Sequence, residues 1–550
     1  MATVHWQMVA VFLAILIPAT ILGFTAGRWR SSNLNRLQEW GLAGRRFGPL
    51  ISWFVLSGDL YTAYAFVAVP GLIFGTGALG FYSIPYASLA YPLAFLVLPR
   101  LWTISRHRGY ITVADFVHER FDSSILALAV AITGILAIMP YTAVQLIGMQ
   151  VALSQMGIPV EAALFISFAV LALYTYFNGL RAPAMLAIVK DVMILLIVLV
   201  TFIYIPAQLG GFDHIFAAVH QKAIQHPQVF HETLSPSQYS AYATLALGST
   251  LALFLYPHNL TAVLSTNSGK GIKRIIPLLP IYSVVLALIA LCGYMAIAAH
   301  IQPQSADQAL PALFAKMFPE WFAGFAFAAL AIGALVPAAI MSIGAANLFT
   351  RNIYRIYFRP SCREREESNV AKITSLLIKV GAFAFVAVLP KTFSINFQLL
   401  GGMWILQTLP AVFLGLYTKW FHRHALVIGW LVGMVAGTLI SVSQNFASVY
   451  PLVLGGFTFP CYIGLIALVV NLGTSGVLTL IFDAVGIARG QEVTTPQDFE
   501  EQPTLSVRAA LQNARPSAQD VSQPLPERPL QAAPMYAQER NPGNLPIGWK

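Results

Sequence analysis

The feature that most constrains this chain is a series of apolar runs, each about 20 residues long, that recurs as far as residue 484. A helix of that length crosses roughly 30 Å of hydrocarbon. Only 10% of the 550 residues are charged, whereas a soluble domain carries about 25% because water must wet its surface. The pattern therefore predicts an all-α integral membrane protein.

We predict about thirteen transmembrane helices along the chain. The predicted spans are 7–27, 49–75, 79–101, 124–153, 161–179, 187–207, 240–264, 275–299, 321–349, 370–389, 396–418, 425–445 and 452–484. The last is long enough to include a reentrant or interfacial part. The first run is too long for the apolar part of a signal peptide and has no basic flank before it, so we expect it to be a retained span.

The composition changes after Gly486, where Pro, Gln, Ala and charged residues replace the apolar runs. Such a segment cannot bury enough apolar surface to fold alone, so we expect a disordered cytoplasmic tail. The predicted organisation is an extra N-terminal span (1–27), a cytoplasmic basic loop (28–48), a core of ten spans (49–418), two additional spans (419–484) and the tail (485–550).

The charges of the loops predict an orientation. One set of loops (28–47, 100–123, 179–191, 258–274, 350–375 and 419–424) contains 22 Lys and Arg residues. The opposite loops contain three, which are Lys222, Lys316 and Lys391. Because Lys and Arg accumulate on the cytoplasmic side of membrane proteins, we expect the first set of loops to be cytoplasmic. The protein would then lie in the cell (inner) membrane with its N-terminus outside and its C-terminus in the cytoplasm. The net charge of +10 is thus explained without nucleic acid.

Two spans carry polar breaks. Span two contains Ser57-Gly58-Asp59 in the middle of an apolar run, and span seven contains Tyr256-Pro257-His258-Asn259, where the proline can break the helix. The two spans are five apart and so cross the bilayer in opposite directions, as an inverted five-plus-five repeat requires. Interrupted spans at matching positions of two halves are typical of a transporter's binding site. Such breaks expose N–H groups that suit a carboxylate and carbonyls that suit a cation.

Other polar residues in the spans have plainer explanations. An acidic residue at mid-span is costly, so Asp59 is expected to couple transport or to organise the site. His258 has equal claims to a binding and to a structural role, and Gln145 and Thr142 in span four either line a cavity or bond between helices. Lys190, Asp191 and Lys379 are expected near the cytoplasmic ends of their spans, where snorkelling or local pairing accounts for them.

No catalytic constellation is present in the sequence. There is no Walker-type phosphate loop and no defensible Ser/His/Asp arrangement, so neither an ATP-driven pump nor an enzyme is expected. The three cysteines, Cys292, Cys362 and Cys461, are too widely spaced for a metal or disulfide framework. The exposed histidines of loop 208–239 favour a metal site only weakly. A channel, an intramembrane enzyme using His258 with Asp59, and a sensor remain as alternatives to a transporter.

An ordered set of motifs resembles the sodium:solute symporter family over about residues 7–484. The matching segments are Trp40-Gly41-Leu42-Ala43-Gly44-Arg45-Arg46, Ser57-Gly58-Asp59, Ile111-Thr112-Val113-Ala114-Asp115-Phe116, Tyr256-Pro257-His258 and Thr350-Arg351-Asn352-Ile353-Tyr354. The segments 333–342 and 400–410 are similar to bacterial monocarboxylate permeases, which take up lactate, pyruvate and related short acids. The resemblance implies a LeuT-type core made of spans 2–11, with one span before it and two after it.

The resemblance also implies a site between spans two and seven. A short organic acid would place its carboxylate against helix N-terminal amides, with side-chain contacts from Tyr61, Thr62, Gln145, His258 and Asn259. The resemblance implies that the protein is a symporter embedded in lipid, which moves this acid by alternating access. It would need no cofactor other than a coupling cation. A small amino acid (alanine or proline) or acetate is the alternative cargo.

One part of the family pattern is incomplete. Sodium-coupled members use carbonyls of span two, which match Gly58 and Tyr61, and hydroxyls of span nine. An ungapped match puts those hydroxyls at Val336 and Pro337, and a shifted match puts one at Ser342, followed by Ile343. A hard cation needs a full set of oxygens, so we expect coupling to H⁺ or to the membrane potential rather than to Na⁺, with Asp59 as the proton carrier.

Overall fold

The computed structural model describes residues 4–28, 34–58, 61–389, 393–491 and 493–500. Its helices are α1 (Trp6–Arg28), α2 (Leu37–Leu42), α3 (Pro49–Ser57), α4 (Val69–Thr76), α5 (Ser83–Arg108), α6 (Val113–Phe121), α7 (Ser124–Gln155), α8 (Val160–Asn178), α9 (Arg181–Gln208), α10 (Phe212–Gln225), α11 (Tyr239–Leu253), α12 (Pro257–Leu264), α13 (Gly269–Ile275), α14 (Pro280–Ala298), α15 (Ala309–Met317), α16 (Glu320–Leu348), α17 (Glu364–Val388), α18 (Ile395–Leu406), α19 (Leu409–Val412), α20 (Arg423–Ser443) and α21 (Ile463–Val485). Two π-helical stretches, 64–68 and 349–358, and short 3₁₀ turns join them.

The described helices agree in type with the predicted spans. Nine of them are long and apolar enough to cross a membrane, and two bent pairs, α11 with α12 and α18 with the turns that follow it, raise that number to eleven. The shorter apolar helices Tyr64–Thr76 and Val160–Tyr176 occupy the positions of predicted spans two and five. The number thirteen itself stays a prediction, because helix length alone does not establish that these two cross the bilayer.

Helix α16 lies at the centre of the bundle and is buried on all sides. It packs against α1, α7, α9, α12 and α17. Its sequence is rich in alanine and glycine, and small residues let helix backbones approach closely where lipid offers no hydrophobic driving force. Large apolar side chains on the outer helices, such as Leu196 and Val477, are exposed as expected for surfaces that face lipid.

The last predicted span was wrong in its first third. Residues 449–454 and 457–462 form an antiparallel hairpin, β1 and β2, and the helix α21 starts only at Ile463. Gly455 and Gly456 make the two-residue turn with φ values of 57° and 84°. Both values fall in the left-handed region that tight hairpin turns require and that glycine adopts at little cost.

The basic loops meet on one face of the bundle. Ion pairs join loops that are far apart in sequence, namely Arg181 with Glu39, Arg351 with Asp115 and Arg423 with Asp122. On the opposite face, Lys222 donates to the carbonyl of Phe74, and Lys316 donates to that of Ala299. The loops are therefore grouped as the charge count predicted.

The beginning of the predicted tail is folded onto the basic face, which corrects the expectation of disorder from residue 485 onward. The carboxylate of Asp498 accepts two hydrogen bonds from the Arg108 guanidinium, at 2.6 and 3.0 Å. The ring of Phe499 lies under Arg100, 4.4 Å from its guanidinium carbon. These charge-assisted and cation–π contacts hold residues 493–500 in place. Residues 501–550 lie outside the described part of the chain.

Candidate functional site

The break in span two separates α3 from the π-helical stretch 64–68. Beyond the break, the hydroxyl of Thr62 accepts a hydrogen bond from the Tyr64 N–H at 3.0 Å. The side-chain oxygen of Gln145 accepts one from the Ala63 N–H at 3.1 Å. The amides at the start of the second half-helix, which have no intrahelical acceptors, thus converge on two polar side chains. Asp59 itself lies outside the described residues, and its coupling role stays a prediction.

The break in span seven also has a side chain bonded to a free backbone group, but here the group is a carbonyl at the end of the first half-helix. Helix α11 ends at Leu253, α12 begins at Pro257, and their axes differ by 43°. The Asn259 side-chain amide donates to the carbonyl of Leu253 at 2.7 Å and so satisfies the end of the first half-helix. Asn259 therefore has a structural contact, while its predicted contact with substrate stays a prediction.

Helix α7, which is span four, joins the two breaks. Gln145 binds the amide of Ala63, and Tyr141, four residues earlier on the same face, packs its ring on His258 with the centroids 5.6 Å apart. The ring of Tyr256 lies 5.2 Å from Tyr141 and 5.4 Å from His258, which completes an aromatic triad. The structure therefore brings the predicted residues of spans two, four and seven together.

The approach of α7 to span two depends on glycine. A Cβ atom on Gly148 would lie 2.3 Å from the Cβ of Ala63, so no larger residue fits there without moving the helix. Two buried polar atoms of spans two and four, the Tyr61 hydroxyl and the Gln145 amide nitrogen, have no hydrogen-bond partner among the described residues. A buried polar group without a partner is costly, so these atoms are suited to receive a ligand.

The two carbonyls predicted to bind a cation are engaged by a lysine. The ammonium of Lys190 lies 2.8 Å from the Gly58 oxygen and 3.0 Å from the Tyr61 oxygen. The Lys190 side chain is completely buried, and its ammonium lies 3.2 Å from the Asp191 carboxylate. Of the two explanations predicted for Lys190, the structure shows local pairing and not snorkelling. Helix α9 begins at Arg181, six residues before the predicted span, and carries Lys190 about 14 Å into the bundle.

The remaining predicted residues lie elsewhere. Ser342 bonds to the carbonyl of Ala339 in its own helix. The part of α16 beside the Tyr61 carbonyl is Gly333, whose Cβ position would be 3.7 Å from that oxygen, and Ser342 lies about 14 Å farther along the helix axis. The structure does not bring Ser342 to the two carbonyls. Thr142 contacts the sulfur of Met341, so it bonds between helices.

Tyr282 is a further residue of this cluster, and the sequence alone did not indicate it. The Tyr282 hydroxyl on α14 donates to the Asp191 carboxylate at 2.7 Å, and its ring lies 4.5 Å from that of Tyr61. Only the adjacent Lys-Asp pair gave a signal in the sequence, since two charges side by side in an apolar run require partners. Tyr282 gave none. Lys379, for which snorkelling or local pairing was predicted, is buried and donates to the carbonyl of Ser375 on its own helix at 2.8 Å.

The profile of the sodium:solute symporter family matches residues 40–437. The chain belongs to that family. It is 48% identical to a monocarboxylate transport permease protein of Rhizobium johnstonii over 482 residues, which cover 88% of this chain and 98% of the relative. An uncharacterized symporter of Bacillus subtilis is 33% identical over 450 residues, which cover 81% of this chain and 90% of the relative. The chain is accordingly a membrane transporter and not an enzyme.

A solved structure confirms the predicted fold class. A Na⁺-coupled sialic acid symporter in its substrate-bound outward-open state matches with a TM-score of 0.70. The match covers 88% of this chain and 99% of the symporter at 16% identity. At that identity the comparison shows the fold alone, which is the LeuT-type architecture of an all-α membrane protein.

Proposed function

We propose that this symporter imports short-chain monocarboxylates such as lactate and pyruvate across the cell membrane by alternating access. The observation that carries the proposal is the bridge made by α7, which holds Gln145 at the amides of one broken span and Tyr141 at His258 of the other. A substrate between the breaks would contact both halves of an inverted repeat, as alternating access about a central site requires. The name of the 48% identical relative supports the substrate class.

The half-helix beyond the break in span two supplies the carboxylate contact. The N–H groups of Ala63 and Tyr64 point at oxygens of Gln145 and Thr62. A carboxylate oxygen is a stronger acceptor than an amide oxygen because it is charged, and it gains from the positive end of the helix dipole. We infer that the substrate carboxylate replaces the Gln145 oxygen as the acceptor for the Ala63 N–H. The carboxylate would also accept a hydrogen bond from the Gln145 amide nitrogen.

The rest of the substrate meets small and aromatic residues. The close packing of Ala63 on Gly148 leaves no space beside the amides for a long side chain. The buried Tyr61 hydroxyl, which has no partner among the described residues, can donate to the 2-hydroxyl or 2-keto oxygen of lactate or pyruvate. A small acid with one additional oxygen therefore matches the polar atoms of the site.

We further propose that the protein lies in the cell (inner) membrane with its basic face toward the cytoplasm, which is the predicted orientation. The ion pairs between distant basic loops support a single charged face. Because the positive-inside rule counts Lys and Arg in short loops, this face belongs inside, with the N-terminus outside and the C-terminus inside.

Uptake into proteoliposomes tests the substrate. Labelled lactate should enter in a saturable manner, exchange with internal unlabelled lactate, and be displaced by pyruvate. Displacement by alanine, proline or acetate, with no effect of pyruvate, would assign the alternative cargo of the family. Non-saturable entry without exchange would indicate a channel. Imposing sodium, proton and electrical gradients one at a time identifies the coupling ion, and strict sodium dependence would refute the proton or potential coupling expected from Asp59.

A further inference from the structure

The position at which the family name implies a sodium ion contains a positively charged side chain. Lys190 donates to the carbonyls of Gly58 and Tyr61 at 2.8 and 3.0 Å, and these are the two carbonyls that the resemblance assigns to sodium. The ends of half-helices concentrate partial negative charge on such carbonyls. The attraction that would bind a sodium ion is therefore already used by the ammonium.

A sodium ion does not fit beside this ammonium. Two positive charges sharing the same carbonyls would repel each other strongly, because the side chain of Lys190 is wholly buried and water cannot screen the pair. A hard cation also needs further oxygens. On α16, the Cβ position of Gly333 lies 3.7 Å from the Tyr61 oxygen, and the positions Val336 and Pro337 one turn along carry no hydroxyl.

Partners on α9 and at the break in span two hold the ammonium in place, and α14 supports them. Asp191, the next residue on α9, lies 3.2 Å from it and accepts a hydrogen bond from Tyr282 of α14. The Tyr282 ring packs on that of Tyr61, 4.5 Å away, so the same residue supports both the counter-ion and the broken span. A buried charge persists only with such pairing and hydrogen bonding, and the Lys190 ammonium has one carboxylate and two carbonyls as partners.

We propose that the ammonium of Lys190 is the resident cation of this site and replaces sodium, so that this member of a sodium symporter family transports without binding sodium. The lysine ties α9 to the broken span two as a bound sodium ion would tie α16 to it. The inference rests on the proposed transport function but not on the identity of the acid carried.

The first test uses the wild-type protein. Purified protein should show the same thermal unfolding temperature in sodium chloride as in choline chloride, and it should not bind radioactive sodium. Lactate uptake into proteoliposomes should differ by no more than about twofold with and without sodium. Specific sodium binding, or stimulation by about tenfold or more, would overturn the proposal.

The second test removes the ammonium. Lys190→Met should reduce sodium-free uptake by about tenfold or more, because it leaves the carbonyls and Asp191 without their cation. Lys379→Met is the matched control, since Lys379 is equally buried but lies on α17 away from the break, and its uptake should stay within about twofold of wild type. Wild-type uptake by Lys190→Met without sodium would refute the role of Lys190.

Folding and substrate identity are controlled separately. The Lys190→Met/Asp191→Asn double variant removes the charge pair without leaving an isolated carboxylate, and it should show the same loss of uptake if the single variant is too unstable to purify. If wild-type protein takes up no lactate, the proposed substrate fails. The sodium-binding and thermal measurements still decide on Lys190, because they need no substrate.

Discussion

At the scale of single residues, Gln145 occupies the position where recognition and helix capping compete. Its oxygen caps the Ala63 N–H, while its nitrogen is buried without a partner among the described residues. The Gln145 amide nitrogen can therefore donate a hydrogen bond to a carboxylate. Of the two roles that its sequence context allowed, the structure shows the bond between helices, and the role in lining a substrate site stays a proposal.

We predict that Gln145→Leu raises the KM for lactate by roughly 5- to 100-fold, with little loss of folded protein. The change removes the amide nitrogen that, in the proposed binding mode, donates to the substrate carboxylate, and the loss of such a hydrogen bond costs about 1–3 kcal/mol. Uptake kinetics in proteoliposomes measure it. Gln150→Leu, on the same helix but without a bond to span two among the described contacts, is the control. An unchanged KM in Gln145→Leu would remove this residue from the site.

Asn259 illustrates a polar residue whose described contact is structural. We predict that Asn259→Leu lowers the free energy of unfolding by about 1–3 kcal/mol, because the carbonyl of Leu253 loses its donor inside the bundle. Thermal unfolding in detergent measures the effect. The exposed Asn267, just beyond α12, offers the control variant Asn267→Leu. Equal stability of the two variants would show that the Leu253 carbonyl finds another donor.

At the scale of elements, the breaks could be predicted but the start of α9 could not. Pro257 and the Ser57-Gly58-Asp59 sequence mark interruptions in any apolar run, since each disturbs the backbone hydrogen bonds of a helix. Arg181 was instead assigned to a loop because it is charged. Its pairing with Glu39 at 2.7 Å, which allows the helix to begin there, comes from a residue 142 positions away.

The hairpin before α21 was missed for a different reason. Short apolar runs cannot be assigned to strand or helix from periodicity alone, and this run was continuous with a helical one. Only the two adjacent glycines at 455 and 456 indicated a turn. The contact of Lys190 with span two was equally out of reach, because it depends on how two helices lie side by side.

The turn 306–308 between α14 and α15 is an element with a titratable anchor. Asp307 is buried and accepts hydrogen bonds from the backbone N–H and the hydroxyl of Ser394, just before α18. Burial raises the pKa of Asp307 to about 7, although the bonds from Ser394 oppose the shift. The ordinary pKa of an aspartate in an unfolded chain is about 3.9.

We predict that stability decreases as the pH rises through this range. Between pH 4 and 7 the folded state retains a proton that the unfolded state has lost, so the free energy of unfolding falls with rising pH and levels off above pH 7. Between pH 6 and 8 the contribution of Asp307 is about 1 kcal/mol. Asp307→Asn should remove this part of the pH dependence, as measured by thermal unfolding at both pH values. An identical pH dependence in the variant would contradict the assignment.

At the scale of the whole molecule, two native cysteines lie on opposite faces. Cys362 lies between the π-helical stretch 349–358 and α17, on the face of the basic loops, and Cys461 lies in β2, beyond the other end of α20. Both are partly exposed, whereas Cys292 is buried. The chain thus carries its own pair of topological markers.

We predict that a membrane-impermeant maleimide labels Cys461 on intact cells and labels Cys362 only after the membrane is opened. Partial burial raises the pKa of both thiols, so the reaction is run near pH 8, where more thiolate is present. Cys362→Ser and Cys461→Ser assign each signal, and Cys292 should stay unlabelled in both. The reverse pattern would place the basic face outside and invert the proposed orientation. It would leave the opposite directions of spans two and seven unchanged, because these follow from the number of spans between them. Labelling of both cysteines from outside would mean that an even number of crossings separates them, and would contradict the three crossings of the proposed arrangement, made by α17, the bent pair that begins with α18, and α20.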